Sequence, residues 1–405
     1  MKLCVYRIGD ICKIKSGKRL PAGYDFSVDP TEYRYIRSRD IKAGKISLEE
    51  VAYIDEETKK KINKYIINEG DIAITIVANI GDIGYATQEC DGINLTENAV
   101  RLTEFDNNVA FSKYLAYYLC QPSMKSYMEN LAAGAAQAKL GIYKIEKMKV
   151  QLPEIGVQKA VVEIVDKYDH LIEVNNKRIK VLEQMAENLY KEWFVRFRFP
   201  GHESAEFLDG IPKGWEYRRA DETILFNPSL KTGKQTSFTI IPMEALSTSS
   251  MVLDSNCFVV QDTISGRRSQ NGDTLLAKIT PCLENGKTGF VMGMGEGEVC
   301  GGSTEFVVMR SKTLTPHYVY CIARSHYFRQ TAILSMNGAD GRQRVDEDKL
   351  KAMKILQPEA DVLRRFEDFM SPLFDSVYHM VQKNRLLVRQ RDLLLPRLMS
   401  GKLEV

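Results

Sequence analysis

The chain has 405 residues, 44% of them hydrophobic and 27% charged, with a formal net charge of +3. That length accommodates two domains with additional helices, and the composition excludes a disordered or fibrous chain. The longest apolar run, IAITIVANI at 72–80, is too short to cross a bilayer, so no membrane partner is expected. The opening MKLCVYRIGDICKIK holds no unbroken apolar stretch, and no secretory signal is expected. Cysteines 4, 12, 90, 120, 257, 282, 300 and 321 form no C-x-x-C pair, and the five histidines stand away from them. Reduced thiols in a cytoplasmic protein without a metal site are the expectation.

In chain order, residues 1–45 carry 11 Lys/Arg against 5 Asp/Glu, a net of +6, which leaves −3 for the remainder. Lys15, Lys18, Arg19, Arg37 and Arg39 make this basic start, and contacts to phosphate oxygens suit them. Such contacts carry affinity without sequence information. A solvated charged face explains the same residues equally simply. Short apolar runs separated by Gly and Asn turns follow, at 33–36, 51–54, 72–77 and 99–102, and these predict strands. A helical piece, SKYLAYYLCQPSMKSYMENL, comes next, then a polar loop holding Gln137 and Lys139. Pro153 opens a long helical pattern from about Val157 to Trp193.

The same order then recurs. EGDIAITIVANIGDIGYA at 69–86 is echoed by NGDTLLAKITPCLENGKTGFV at 271–291, and AAGAAQAKLGIYKIEKMKVQLPE at 132–154 by MNGADGRQRVDEDKLKAMKILQPE at 336–359. Corresponding positions lie about 200–207 residues apart, too long a period for a solenoid, so two homologous domains are expected. Pro358 opens the second long helix, and Pro372 is expected to bend it. In the first helix Val157, Val161, Ile164, Tyr168, Leu171, Leu182, Met185 and Leu189 fit one 4-3 spacing, interrupted by Asn175 and Arg178. In the second, Val362, Phe366, Phe369, Leu373, Met380, Leu387 and Leu394 do, broken by Ser376, Lys383 and Gln390. Heptads sustained this long predict a coiled coil in which the two helices, each about 55 Å long, are each other's partners.

Two segments of the second half carry recognition chemistry. In the turn from Lys278 to Lys287, both lysines suit phosphates, Thr280 adds a hydroxyl, and Asn285 suits an adenine edge. An Asn-Gly hairpin turn is its plain reading. The loop Asn337–Arg344 is rich in glycine and offers Arg342, Gln343 and Arg344; arginine pairs bidentately with guanine and glutamine with adenine. Its counterpart in the first half keeps Gln137 and Lys139, which makes this pair of loops the strongest candidate site. The alternative there is a helix-capping loop with solvated charges.

Catalytic motifs fail when checked. Gly286-Lys287-Thr288 lacks the earlier glycine of a phosphate-binding loop, with Pro281 in its place. Asn227-Pro228-Ser229-Leu230 lacks the second proline and the aromatic of the adenine methyltransferase signature. Asp340 with Glu347-Asp348-Lys349 has the letters of a nuclease centre on a charged helix start. Gly293, Gly295 and Gly297 open no helix, which excludes a dinucleotide fingerprint.

LAKITPCLENGKTGF from Leu276, NLYKEWFVRFRFPG at 188–201, PKGWEYR at 212–218 and RDLLLPRLMSGKLEV at 391–405 resemble the specificity subunits of type I restriction-modification systems. The resemblance extends over the whole chain and implies an α+β fold of two β-rich target-recognition domains, 1–153 and 200–357. Each precedes a spacer helix, 154–199 and 358–405, and the helices pair as an antiparallel coiled coil. It implies double-stranded DNA as ligand, with each domain reading half of a bipartite site. Two methyltransferase subunits and the restriction subunits are implied as partners. S-adenosylmethionine, ATP and Mg²⁺ belong to those partners, and the chain itself holds no cofactor and no catalytic residue. The alternative is an enzyme, a nuclease or adenine methyltransferase with an atypical centre, and turnover by the pure protein would separate the two. A third reading, a coiled-coil scaffold, predicts no salt-dependent DNA binding.

Overall fold

The duplication read from the sequence reappears strand by strand in the computed structural model, which describes residues 2–133, 138–339 and 341–403. Two compact units divide the chain, residues 1–170 with 387–405 and residues 171–386. In the first, β1 (Lys13–Ser16), β2 (Ile41–Lys42), β3 (Gly44–Ile46), β4 (Ile72–Thr75), β5 (Ile83–Tyr85) and β6 (Ala99–Thr103) form one sheet, ordered β1-β6-β4-β5-β3-β2. Its pairings are antiparallel except β3 with β5. All four residues of β4 are buried, as the continuous apolar run requires. A second small sheet sets Tyr33–Ile36 between Ala52–Ile54 and Ile93–Leu95. Helices α1 (Ser112–Leu119) and α2 (Pro122–Ala132) contribute Tyr114, Leu115 and Met128 to the core beneath the first sheet. The long helix α3 (Ile155–Tyr190) begins in this unit.

In the second unit, β7 (Ile224–Phe226), β8 (Thr274–Ala277), β9 (Thr288–Phe290) and β10 (Phe306–Ser311) are ordered β7-β10-β8-β9, the same order as β1-β6-β4-β5. Here α4 (Pro316–Arg324) and α5 (His326–Leu334) take the places of α1 and α2. Each unit also closes a short antiparallel pair near its long helix, Cys4–Arg7 with Lys149–Leu152 and Glu216–Arg219 with Lys354–Gln357.

The repeated Gly-Asp pair has a structural reason in both units. Gly70 and Gly272 have φ of +83° and +87°, a conformation glycine adopts without strain. The aspartate that follows accepts a backbone N–H three residues back, Asn68 at 2.9 Å and Gln270 at 2.8 Å. Each buried carboxylate also pairs with an arginine, Asp71 with Arg101 at 2.9 Å and Asp273 with Arg310 at 2.7 Å. The aspartates are equivalent and the arginines are not. Arg101 lies opposite Ala73, whereas Arg310 occupies the place of Thr103, one residue beyond the Thr274–Met309 pair. Burial holds the Asp273 carboxyl above the usual range in spite of its guanidinium.

The second long helix, α6, spans Ala360–Met399 and continues through Pro372. Both helices depart from the expected stripes by one residue at every second position. In α3 Leu171 and Met185 are exposed, while Val165, Ile172, Ile179 and Ala186 are buried. In α6 Phe369 is exposed, and Met370, Val377 and Leu398 are buried. The adopted stripe still alternates in steps of four and three, through 161, 165, 168, 172, 175, 179, 182, 186 and 189, and through 366, 370, 373, 377, 380, 384, 387, 391, 394 and 398. Asn175 is common to both stripes and lies buried in the seam, and Arg178 is exposed outside it.

The polarity of the rejected positions, together with partnership across the seam, explains the shift. The rejected positions include Arg178, Ser376, Lys383 and Gln390, whereas the polar residues on the adopted ones are matched. In the second unit Asn175 donates to Asn384 at 2.8 Å. In the first, Arg391 meets Asp169 at 2.6 Å. Trp193, in the π-turn that ends α3, packs on Phe366 at 5.7 Å between centroids. Residue numbers rise along one helix as they fall along the other, so the helices pair antiparallel. Among the described residues no helix is long and apolar enough to cross a membrane.

Candidate nucleic-acid interface

The two candidate segments of the second unit, nearly sixty residues apart in sequence, are stitched together by backbone. The turn 278–287 joins β8 to β9, and residues 343–345 return alongside it. Thr280 N–H donates to the Gln343 carbonyl at 3.1 Å, and Val345 N–H to the Lys278 carbonyl at 2.9 Å. Ile279 and Arg344 form a bridge, as do Asn337 and Arg344. Lys278, Thr280, Arg342, Gln343 and Arg344 thus belong to one surface feature. Its far side is braced from below: Arg324 and Arg329 donate to the carbonyls of Gly286 and Glu284. A Cβ on Gly286 would stand 2.8 Å from the Arg329 guanidinium, and φ there is +82°, so only glycine fits that bend.

The first unit repeats the stitch. Val77 and Lys139 form the bridge equivalent to Ile279 and Arg344, and Leu140 N–H donates to Ile76 at 3.0 Å as Val345 does to Lys278. Lys139 is exposed. Gln137 lies outside the described residues.

Most of the predicted cations already have partners. Arg344 makes a two-pronged pair with Glu305, at 2.7–3.1 Å, which holds the Glu305 carboxyl below its usual range. Lys278 and Arg267 both reach Glu347 at 3.1 Å, and Asn227 donates to the other oxygen of that carboxylate at 2.7 Å. Lys287 donates to the Met243 carbonyl at 3.1 Å. Arg342 and Asn285 are exposed, and Gln343 is half-buried. Thr280 has its hydroxyl buried and unbonded, behind the turn instead of on it.

In the first unit Lys15 and Lys13 converge on Glu104, whose carboxyl drops to about 2 through their hydrogen bonds. Arg37 grips Asp40 with two nitrogens, at 3.1 and 3.2 Å, and reaches the Glu50 carbonyl. That guanidinium is committed to the local turn. Arg39 stays exposed, 3.7 Å from Asp40, and Arg19 is exposed, 4.0 Å from Glu97. Lys18 is exposed, its ammonium 5.6 Å from the centre of the Tyr65 ring.

Sequence reasoning passed over Arg267 and Glu305, and met Glu347 only as a letter of a failed nuclease motif. Nothing local marks them, because their partners arrive from strands and helices remote in sequence. Glu347, whose letters had resembled a nuclease centre, instead neutralises two cations beside the loop. The result is a polar ridge of arginine, lysine, glutamine and asparagine with two acceptor carboxylates among them, a chemistry suited to phosphates and base edges.

A measurable contrast follows. Arg342→Ala and Gln343→Ala are expected to cost about 1–3 kcal/mol of DNA binding at particular base pairs. Lys18→Ala should weaken all sequences alike and flatten the salt dependence. Titrations of single-base-pair variants of the site at two salt concentrations distinguish the patterns. Uniform losses for the Arg342 and Gln343 variants would exclude the loop from base reading.

A family model described as the type I restriction modification DNA specificity domain matches residues 2–184. The MjaIX specificity subunit of Methanocaldococcus jannaschii, a type I restriction enzyme component, is 22% identical, covering 87% of this chain and 82% of that protein. The MjaVIII specificity subunit of the same organism is 21% identical over 99% of this chain and 93% of its own length. The EcoAI specificity subunit of Escherichia coli is 25% identical over 59% of this chain and 42% of its own. A crystal structure of the S subunit of a type I restriction-modification system from M. genitalium superposes with a TM-score of 0.62 at 12% identity, covering 98% of this chain and 96% of that one, and shares the fold.

Proposed function

We propose that this chain, which belongs to the family of type I restriction-modification specificity subunits, reads a bipartite DNA site with one half-site for each β-rich domain, 1–153 and 200–357. The observation that carries this reading is the repeated stitch between the turn after the central strand and the loop before the long helix. A pseudo-two-fold reader needs a fixed separation between its two reading surfaces, as dimeric repressors have. The spacer helices 154–199 and 358–405 supply it. Arg342, Gln343, Asn285 and Lys139 face base edges or phosphates directly. Lys278 and Arg344 engage DNA by exchanging Glu347 and Glu305 for phosphate oxygens, so their contribution to affinity is reduced by the pairs that must open.

The chain acts without chemistry of its own. Methyltransferase subunits, two per complex, bring S-adenosylmethionine, and restriction subunits bring ATP and Mg²⁺; the assembly works in the cytoplasm on double-stranded DNA. The test is direct. The purified chain incubated with DNA and S-adenosylmethionine, or with Mg²⁺, is expected to give no methylated or cleaved product, and addition of the methyltransferase subunit is expected to give adenine methylation at one bipartite sequence. Turnover by the chain alone would replace this reading with that of an enzyme.

A further inference from the structure

The seam between α3 and α6 is apolar along most of its length, and apolar residues pack almost equally well when one helix slides by a heptad. Two buried amides in the second unit do not have that latitude. Asn175 donates from Nδ2 to Asn384 Oδ1 at 2.8 Å, and Asn384 donates from its own Nδ2 to Asn176 Oδ1 at 2.8 Å. Asn175 and Asn384 are 6% and 9% exposed. Sliding by seven residues in one direction puts Val377 opposite Asn175, and in the other puts Leu182 opposite Asn384. Either slip leaves a buried amide facing hydrocarbon, which is costly in a way that repacking cannot relieve.

The register of these helices also governs the second domain, because both helices hold the same stretch of it. From α3, the half-buried Glu183 carboxylate accepts from Ser250 Oγ at 2.9 Å and Met251 N–H at 2.8 Å. From α6, Arg385 donates to the Leu253 carbonyl at 3.2 Å and to Asp254 at 3.1 Å. A slip of one heptad would move those two grips apart by about 10 Å along the axis. The amide cluster and the 250–254 segment therefore report one and the same register.

We propose that the Asn175–Asn384–Asn176 amide cluster is the register key of the helix pair, and so determines which gap between half-sites the protein accepts. The inference rests on the reading of the chain as a bipartite DNA reader. These are positioning residues, remote from the candidate ridge.

The test uses the full chain in complex with its methyltransferase subunit, with methylated adenines mapped across a genome. Asn175→Leu with Asn384→Leu removes the key while keeping the seam continuous. Both half-site sequences are expected to survive, with the single gap replaced by a mixture of gaps differing by about three base pairs, since a heptad rises about 10 Å and each base pair about 3.4 Å. Moving the key, by Asn175→Leu with Leu182→Asn, is expected to shift the gap by that amount in one direction. A single unchanged gap in either folded variant would overturn the proposal. Should the double leucine variant fail to fold, the moved key still decides, because it keeps one amide to pair with Asn384. A wild-type complex that methylates no bipartite sequence would instead overturn the reading of function beneath it.

Discussion

Arg101→Ala is expected to destabilise the first unit by about 3–5 kcal/mol. Both members of the pair are buried, with side-chain exposures of 8% for Arg101 and 6% for Asp71. Alanine would strip the carboxylate of its cation and leave it the Asn68 N–H as a partner, deep beside the central strand. The penalty is that of an uncompensated buried charge and exceeds the worth of the pair itself. Replacing both members, Arg101→Met with Asp71→Asn, keeps an acceptor for Asn68 and is expected to recover most of the loss. Urea unfolding of the three proteins measures this, with the two units allowed separate transitions. A loss under about 1 kcal/mol for the single variant would mean that water reaches Asp71. Arg310 is half-buried and committed to the buried Asp273, so neither arginine counts among the DNA readers despite its place on a central strand.

Matched insertions in the two long helices are expected to rewrite the target without touching either reading surface. One heptad placed between Asp169 and Asn175 and another between Asn384 and Arg391 preserve both the Asp169–Arg391 pair and the amide cluster. The added length is about 10 Å, roughly three base pairs. Methylation should vanish at the original gap and appear at the same half-sites with a gap about three base pairs longer. A heptad added to α3 alone keeps the amide cluster and strands Asp169 opposite a residue other than Arg391, so that variant should melt earlier and methylate poorly. Adenine mapping and thermal melting of the two variants separate these outcomes. An unchanged gap after matched insertion would show that the helices do not measure distance.

The contrast between single and matched insertions was invisible in the sequence, and the reason is geometric. A 4-3 pattern in α3 admits two neighbouring stripes that share Val161, Tyr168, Leu182 and Leu189. The expectation followed the larger side chains of the stripe through Leu171 and Met185, although between 161 and 189 the other stripe carries one more apolar residue, Ile179 in place of Arg178. Asn175 belongs to both stripes, and the fold adopts the one that buries Ile179 in place of Arg178 and Asn384 in place of Lys383, with Asn384 across from Asn175. Hydrophobic periodicity registers only what a residue is, whereas the cost of a buried amide depends on what stands across from it.

The sequence by itself determined the duplication, the strand runs at 33–36, 72–77 and 99–102, the two long helices behind Pro153 and Pro358, and the Gly-Asp turns. Each of these is encoded within a few residues, in backbone preference or in alternation of apolar side chains. Arg342 and Asn285 lie exposed on a loop and a turn for the same reason. Tertiary structure alone decided that the turn at 278–287 and the loop at 337–344 form one ridge, and that Glu305, Glu347 and Glu104 neutralise cations which read as available. Those pairings join residues 39 to 91 positions apart. Electrostatic interaction acts through distance in space, and separation along the chain carries no record of it until the sheets and helices have closed.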